Sequence, residues 1–341
     1  MVSMRLAILF VAAAMLMADP AAAQSTTLVT ESAQVPSRDA GIRLYVRNKR
    51  PVTMATFTPE RVVLFVHGVT YPAETTFDLS IDGASWMDYI AERGYDVWMM
   101  DVRGYGRSTR PPEMDRPPKE SPPIVNTQQA IDDFGAVVDH ILKVRGIPRI
   151  TVMGWSWGTV IAGAYASRNA PKVERVVLYA PLWLRQTQGP LRFDGGAYRE
   201  VTADAARARW LSGVPADKQK ELIPPGVFEA WWKANMEADP IGAKRTPPVV
   251  RAPSGALAEG MKYWEAETRY YDPSGIRAPV LLIVGEWDAD TPPYMAQAML
   301  GRLVNAPRKR LVIVGEATHT MLLERNRMQL FREVQAFLDE R

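Results

Sequence analysis

The sequence predicts an α/β protein: a doubly wound, mostly parallel sheet with a helical cap inserted late in the chain. Three observations point there. Six short runs rich in β-branched residues read as strands, at 61–67, 95–101, 149–154, 175–181, 279–285 and 309–315. They are almost continuously apolar, not alternating, which marks strands covered on both faces. Helical patterns lie between several of them, and that alternation is the signature of a parallel sheet wrapped by helices.

At the start of the chain, residues 1–23 read as a secretory signal: Arg5, an apolar run from Leu6 to Met17, then Ala21-Ala22-Ala23 before Gln24. The run is shorter than the roughly 20 residues that span a bilayer. An uncleaved amphipathic anchor is the alternative reading. With no cysteine near the cleavage site and no second long apolar run, the mature chain is expected to be exported, without a stable membrane anchor. GIRLYVRNKR (41–50) and its neighbours suggest one or two antiparallel edge strands. The stretch 126–146 predicts a helix, with Ile131, Phe134, Val138, Ile141 and Leu142 on one face, Asn126 or Thr127 as its cap and Gly146 at its end. Residues 110–123 carry three Pro-Pro pairs, which neither a helix nor a ladder can run through. Between about 182 and 276 no clean buried strand appears. Five of the ten tryptophans do (Trp183, Trp210, Trp231, Trp232, Trp264), among helical stretches. Because strands resume at 279, this reads as an insertion, giving a core of 24–181 plus 277–341 and a cap of 182–276.

Composition narrows the chemistry. The 341 residues carry 41 Lys and Arg against 38 Asp and Glu, a net +3, with no basic run of the kind that tracks a phosphate backbone, so nucleic acid is not an expected partner. The absence of cysteine removes disulfides, thiolate metal sites and a cysteine nucleophile together. Only His67, His140 and His319 are available as imidazoles. No dinucleotide or P-loop fingerprint and no H-E-x-x-H motif occurs, so neither cofactor nor metal is expected.

Gly154-Trp155-Ser156-Trp157-Gly158 follows the strand at 149–154 and opens a helical stretch. This is G-x-S-x-G in its strand–turn–helix setting, which lifts a serine hydroxyl above the sheet. A serine needs a base. His140 sits within the predicted helix, and His67 ends a strand where it orders the next loop. His319 follows the last strand, on the side where open α/β sheets build their sites. Candidates for the orienting carboxylate are Glu286, Asp288 and Asp290, with Asp288 favoured by its position beyond Gly285 and Asp290 its rival. The oxyanion donors are expected to be the N–H groups of Trp157 and Val69.

These motifs together make the sequence resemble the α/β-hydrolase superfamily over almost the whole mature chain. The marks are VHG (66–68), DVRGYGRS (101–108), GWSWG (154–158), GEWDADTP (285–292) and THTMLLER (318–325). In that family the acid lies in G-x-x-D-x-x-x-P, which Gly285, Asp288 and Pro292 reproduce, so the resemblance implies Asp288. Thr318 stands where the family usually has Gly before its histidine. Some pieces are similar to proline iminopeptidases, which usually carry H-G-G-P-G where this chain has HGVTY.

The expectation is an exported serine hydrolase of carboxylic esters: Ser156 attacks, His319 moves the proton, Asp288 orients it, and the substrate is a small molecule seated in an apolar or aromatic pocket under the cap. An amidase or aminopeptidase of proline iminopeptidase type is the alternative, its amine site drawn from Glu200, Asp204, Glu229 or Glu237. A third reading is a non-catalytic binding protein on this scaffold. Serine-triad chemistries such as carbon–carbon hydrolysis or perhydrolysis share the same residues.

Overall fold

The computed structural model describes residues 26–186, 189–260, 262–266 and 268–340; the expected signal segment lies outside them. Among the described residues ten strands form: β1 Leu28–Pro36, β2 Arg43–Pro51, β3 Val62–Val66, β4 Asp96–Met100, β5 Ile150–Trp155, β6 Val173–Tyr179, β7 Tyr198–Thr202, β8 Val249–Pro253, β9 Val280–Gly285 and β10 Lys309–Val314. Eight make one sheet in the order β1-β2-β4-β3-β5-β6-β9-β10. From β4 to β10 every pairing is parallel, while β1 and β2 join antiparallel at one edge. The edge strands suggested by GIRLYVRNKR are β2 and its hairpin partner β1.

Alternation within β3 shows how the sheet is buried. Val62, Leu64 and Val66 face one apolar layer with the helices Thr127–Arg145 and Trp157–Arg168. Val63 and Phe65 face the other, with Trp86–Ala91 and Arg327–Asp339. Both faces are therefore covered, as the unbroken apolar runs require. The helix expected at 126–146 is Thr127–Arg145, with a capping box between Asn126 and Gln129 and Gly146 in the left-handed conformation at its end.

Two expectations change. β10 reads like the buried strands but lies at the sheet edge, and Lys309 and Ile313 are exposed. The segment between β6 and β9 is not purely helical, for β7 and β8 pair there as an antiparallel ribbon. Arg251 of β8 is buried and held by Asp239 through Nε and Nη2, so a fully paired charge sits where an apolar residue signals a strand. The helices Ala203–Trp210 and Val227–Ala238 complete this segment, where Trp210 packs edge to face on Trp231 and Phe228 lies tilted against both. Among the described residues no helix is long and apolar enough to cross a membrane.

Candidate active site

The carboxyl ends of β3, β5, β9 and β10 deliver the residues singled out from the sequence. After β5, Ser156 adopts φ +59° and ψ −123°, a strained conformation for a residue with a β-carbon. The turn is tight enough to demand glycine on both sides. A β-carbon on Gly154 would sit 2.1 Å from the Gly158 carbonyl oxygen, and one on Gly158 would sit 2.4 Å from the Val66 oxygen of β3. The Ser156 N–H donates to the Tyr179 carbonyl at 3.0 Å, which fixes the bend against β6. Trp157 opens the following helix, so its N–H is one of the four that a helix leaves without an internal acceptor.

The loop after β3 is braced from below. His67 is fully buried; its Nδ1 lies 2.7 Å from the Gly68 carbonyl and its Nε2 accepts the Val102 N–H at 3.0 Å. This defines one neutral tautomer, and burial pushes its pKa down to about 4. The Val69 carbonyl accepts from the Tyr105 hydroxyl at 2.9 Å and from Arg199 at 2.8 Å, while the Val69 N–H has no partner among the described residues. The D-x-R-G-x-G-x-S segment thus has a structural role. Tyr105 props up this loop, Arg103 pairs with Asp133, and the Asp101 carboxylate gathers the Ala73 and Arg107 N–H groups.

After β9, Asp288 reaches the imidazole. His319 Nδ1 lies 3.0 and 2.8 Å from its two oxygens. Thr291 donates its N–H to one oxygen at 2.7 Å and its hydroxyl to the other at 2.9 Å. The His319 carbonyl accepts from Trp155 Nε1 and the Tyr179 hydroxyl, fixing the loop beyond β10 to the strands beside Ser156. Of the other carboxylates weighed from the sequence, Glu286 is exposed and accepts the Glu316 N–H, whereas Asp290 is buried and paired with Arg209. His140 is a half-buried helix residue edge-on to Trp98.

Not every expected contact is made. His319 Nε2 is buried without a hydrogen-bond partner, so the Ser156–His319 bond is open in this structure. Ser156, Val69 and Trp157 line one cleft with Asp290 and Thr291, and His319 lines an adjoining recess that shares Asp290 and Arg209. Leu182, Leu191, Phe193, Leu257 and Trp264 give the cleft an apolar wall; Arg185, Arg192 and Arg209 add cations, against Glu265. Ligand atoms of Asp288, Asp290 and His319 lie within 4.8 Å of one another, a spacing a cation could use, although Arg209 holds Asp290, Thr291 holds Asp288, and Asp288 takes His319 Nδ1, leaving Nε2 free.

Sequence reasoning missed Arg199, Arg209, Thr70 and Thr291. Arg199 and Arg209 come from the inserted segment and converge on the Thr70 hydroxyl at 2.5 and 2.9 Å. Contacts between residues so distant in the chain leave no local signal.

A family model described as serine aminopeptidase, S33, matches residues 58–326. The chain belongs to that family. It is a hydrolase of the α/β-hydrolase superfamily, and its sheet order and helical layers are those of that fold. It is similar to the pimeloyl-(acyl-carrier protein) methyl ester esterase of Neisseria meningitidis, 28% identical over 192 residues that cover 56% of this chain and 69% of that protein. Among solved structures it is similar to a thermophilic esterase from Thermogutta terrifontis, with a TM-score of 0.58, 18% identity and 90% and 98% of the two chains covered. It is also similar to a serine hydrolase from the polyaromatic hydrocarbon-degrading bacterium Cycloclasticus zankles, with a TM-score of 0.63, 14% identity and 91% and 98% covered.

Proposed function

We propose that this chain is an exported serine esterase using Ser156 as nucleophile, His319 as base and Asp288 as orienting acid. The observation that carries the reading is the Asp288–His319 pair: Nε2 is left without a partner, and His319 lines a recess adjoining the cleft that holds Ser156. Once the Ser156 hydroxyl turns to meet Nε2, His319 takes its proton as the oxygen attacks the ester carbonyl. The Val69 and Trp157 N–H groups receive the charge that develops on the carbonyl oxygen. His319 then passes its proton to the leaving alcohol, and water, activated by the same imidazole, hydrolyses the acyl-enzyme. The wall of Leu182, Leu191, Phe193 and Trp264 suits an apolar acyl or alcohol group. The Neisseria relative, named for a methyl ester, supports ester cleavage.

The family description favours a second reading, an aminopeptidase. A free α-amine needs an unpaired carboxylate near Ser156. Asp290 is taken by Arg209, and Glu200, Asp204, Glu229 and Glu237 do not line the cleft; the remaining carboxylate that does, Glu265, is exposed and shares the cleft with Arg185 and Arg192. With Arg209 and Asp290 cancelling, Arg185 and Arg192 outnumber Glu265 and leave the cleft cationic, which weighs against an ammonium group and so against this reading. Export rests on the signal pattern of residues 1–23; N-terminal sequencing of protein from the medium or periplasm is expected to begin at Gln24. The deciding experiment compares p-nitrophenyl esters of graded acyl length with proline and alanine arylamides. Ester turnover that exceeds amide turnover by at least about a hundredfold is expected; arylamide turnover equal to it overturns the proposal.

A further inference from the structure

Asp288, Asp290 and His319 lie within 4.8 Å of one another, and all three are buried. That is one anion more than a triad requires. A single carboxylate orients the imidazole and stabilises the imidazolium that forms in the reaction. A second, in a site screened from water, would stabilise the imidazolium in the resting enzyme too and so remove the base.

The fold meets this with a cation from the inserted segment. Arg209, on the helix Ala203–Trp210, places Nε 3.0 and 3.2 Å from the two Asp290 oxygens and Nη2 3.0 Å from Oδ1. Its remaining arm, Nη1, donates to the Thr70 hydroxyl at 2.9 Å, beside Val69. Burial disfavours the Asp290 carboxylate, but Arg209, His319 and Arg185 outweigh it and hold the carboxyl below its usual range. Asp290 is therefore an anion in the folded protein, with Arg209 as its bidentate counter-charge.

We propose that Arg209 is a positioning residue for the His319 base: it cancels the Asp290 charge and, through Thr70, joins the acid loop to the oxyanion loop. The inserted segment then has to be seated for both halves of the site to be correct. The inference rests on the catalytic reading given above.

The other groups around His319 are accounted for. Asp288 and Thr291 occupy its Nδ1 side. Glu324, pushed up to about 7 by burial, is held by Thr318 and Trp210. The Tyr179 hydroxyl is tied to the His319 carbonyl, Tyr71 lines the recess, and Arg185 donates to the Asp290 carbonyl.

The test uses the fact that the chain has only three histidines. In full-length protein labelled with ¹³C-histidine, the ring signal of His319 is identified by its loss in His319→Gln, and its titration is followed by NMR alongside the pH dependence of kcat/KM for a p-nitrophenyl ester. Arg209→Gln is expected to move the midpoint of the ring titration, and the acid limb of the rate profile, to higher pH by about one unit. Asp290→Asn, which leaves Arg209 unopposed, moves both to lower pH. The double variant returns them to within about 0.3 units of the wild type. Arg209→Lys keeps the charge and the midpoint while kcat falls through the lost Thr70 contact. A purely structural anchor would lower activity without moving any midpoint, and midpoints unchanged or displaced in the same direction in Arg209→Gln and Asp290→Asn overturn the proposal. If the wild type turns over no ester, the functional reading fails, yet the ring titration still decides this inference.

Discussion

Asp288→Asn replaces a carboxylate by an amide of the same shape, and the surrounding hydrogen bonds determine which way that amide faces. Both Asp288 oxygens accept: Oδ1 from the Thr291 N–H at 2.7 Å, Oδ2 from the Thr291 hydroxyl at 2.9 Å, and both face His319 Nδ1. The amide nitrogen cannot take the Oδ1 place, where it would meet a backbone N–H. It takes the Oδ2 place, where the Thr291 hydroxyl can rotate to accept. There it stands 2.8 Å from Nδ1 and presents a hydrogen to it. Nδ1 becomes an acceptor, and the ring proton shifts to Nε2. That is the nitrogen that must accept from Ser156, so the base is blocked in the tautomer it is forced to adopt. The same substitution in serine-protease triads lowers kcat by about 10⁴, or about 5.5 kcal/mol of transition-state stabilisation. A loss of that order is expected here, measured as initial rates on a p-nitrophenyl ester, with KM and the unfolding midpoint near wild type. A loss under tenfold, or a larger loss in Asp290→Asn, would show that the imidazole is oriented by another group.

Two further predictions concern the scaffold. In Gly158→Ala the new β-carbon meets the Val66 oxygen at 2.4 Å and the His67 oxygen at 2.7 Å, so β3 has to shift; a loss of about 1–3 kcal/mol in urea-unfolding free energy is expected, and an unchanged midpoint contradicts the tight elbow. His67 is neutral and doubly bonded in the folded state, with a pKa depressed to about 4 against 6.5 unfolded. Its stabilisation is complete above pH 6.5 and is lost as pH falls toward 4, so the stability gap between wild type and His67→Asn shrinks by about 3 kcal/mol across that window, whereas a gap independent of pH refutes the assignment.

What the sequence reveals depends on whether the cause is local. β3, β5, β6 and β9 announce themselves because each is buried on both faces and so is written in Val, Ile, Leu and Met. β10 carries the same pattern yet lies at an edge, since apolar content does not report how many neighbours a strand has. β7 and β8 are hidden by Arg199, Glu200 and Arg251, charges placed where apolar residues signal a strand; Arg199 and Glu200 find their partners at Thr70 and Arg245, and Arg251 at Asp239, all outside the two strands. The site divides in the same way. Ser156, Asp288 and His319 each stand at a fixed offset from a strand end, which is readable. Arg209 and Arg199 reach Asp290 and Thr70 from a segment inserted between two core strands, and no spacing rule connects them. The closed Ser156–His319 contact expected from the motif is absent, and His319 Nε2 has no hydrogen-bond partner.

The central claim is that Ser156 is a nucleophile activated by His319. Incubation with a fluorophosphonate, followed by peptide mass spectrometry, reads this directly. The account predicts a single adduct on the peptide containing Ser156, absent in Ser156→Ala and formed at least about a hundredfold more slowly in His319→Gln. An adduct on another residue, or ester turnover that persists in Ser156→Ala, contradicts it.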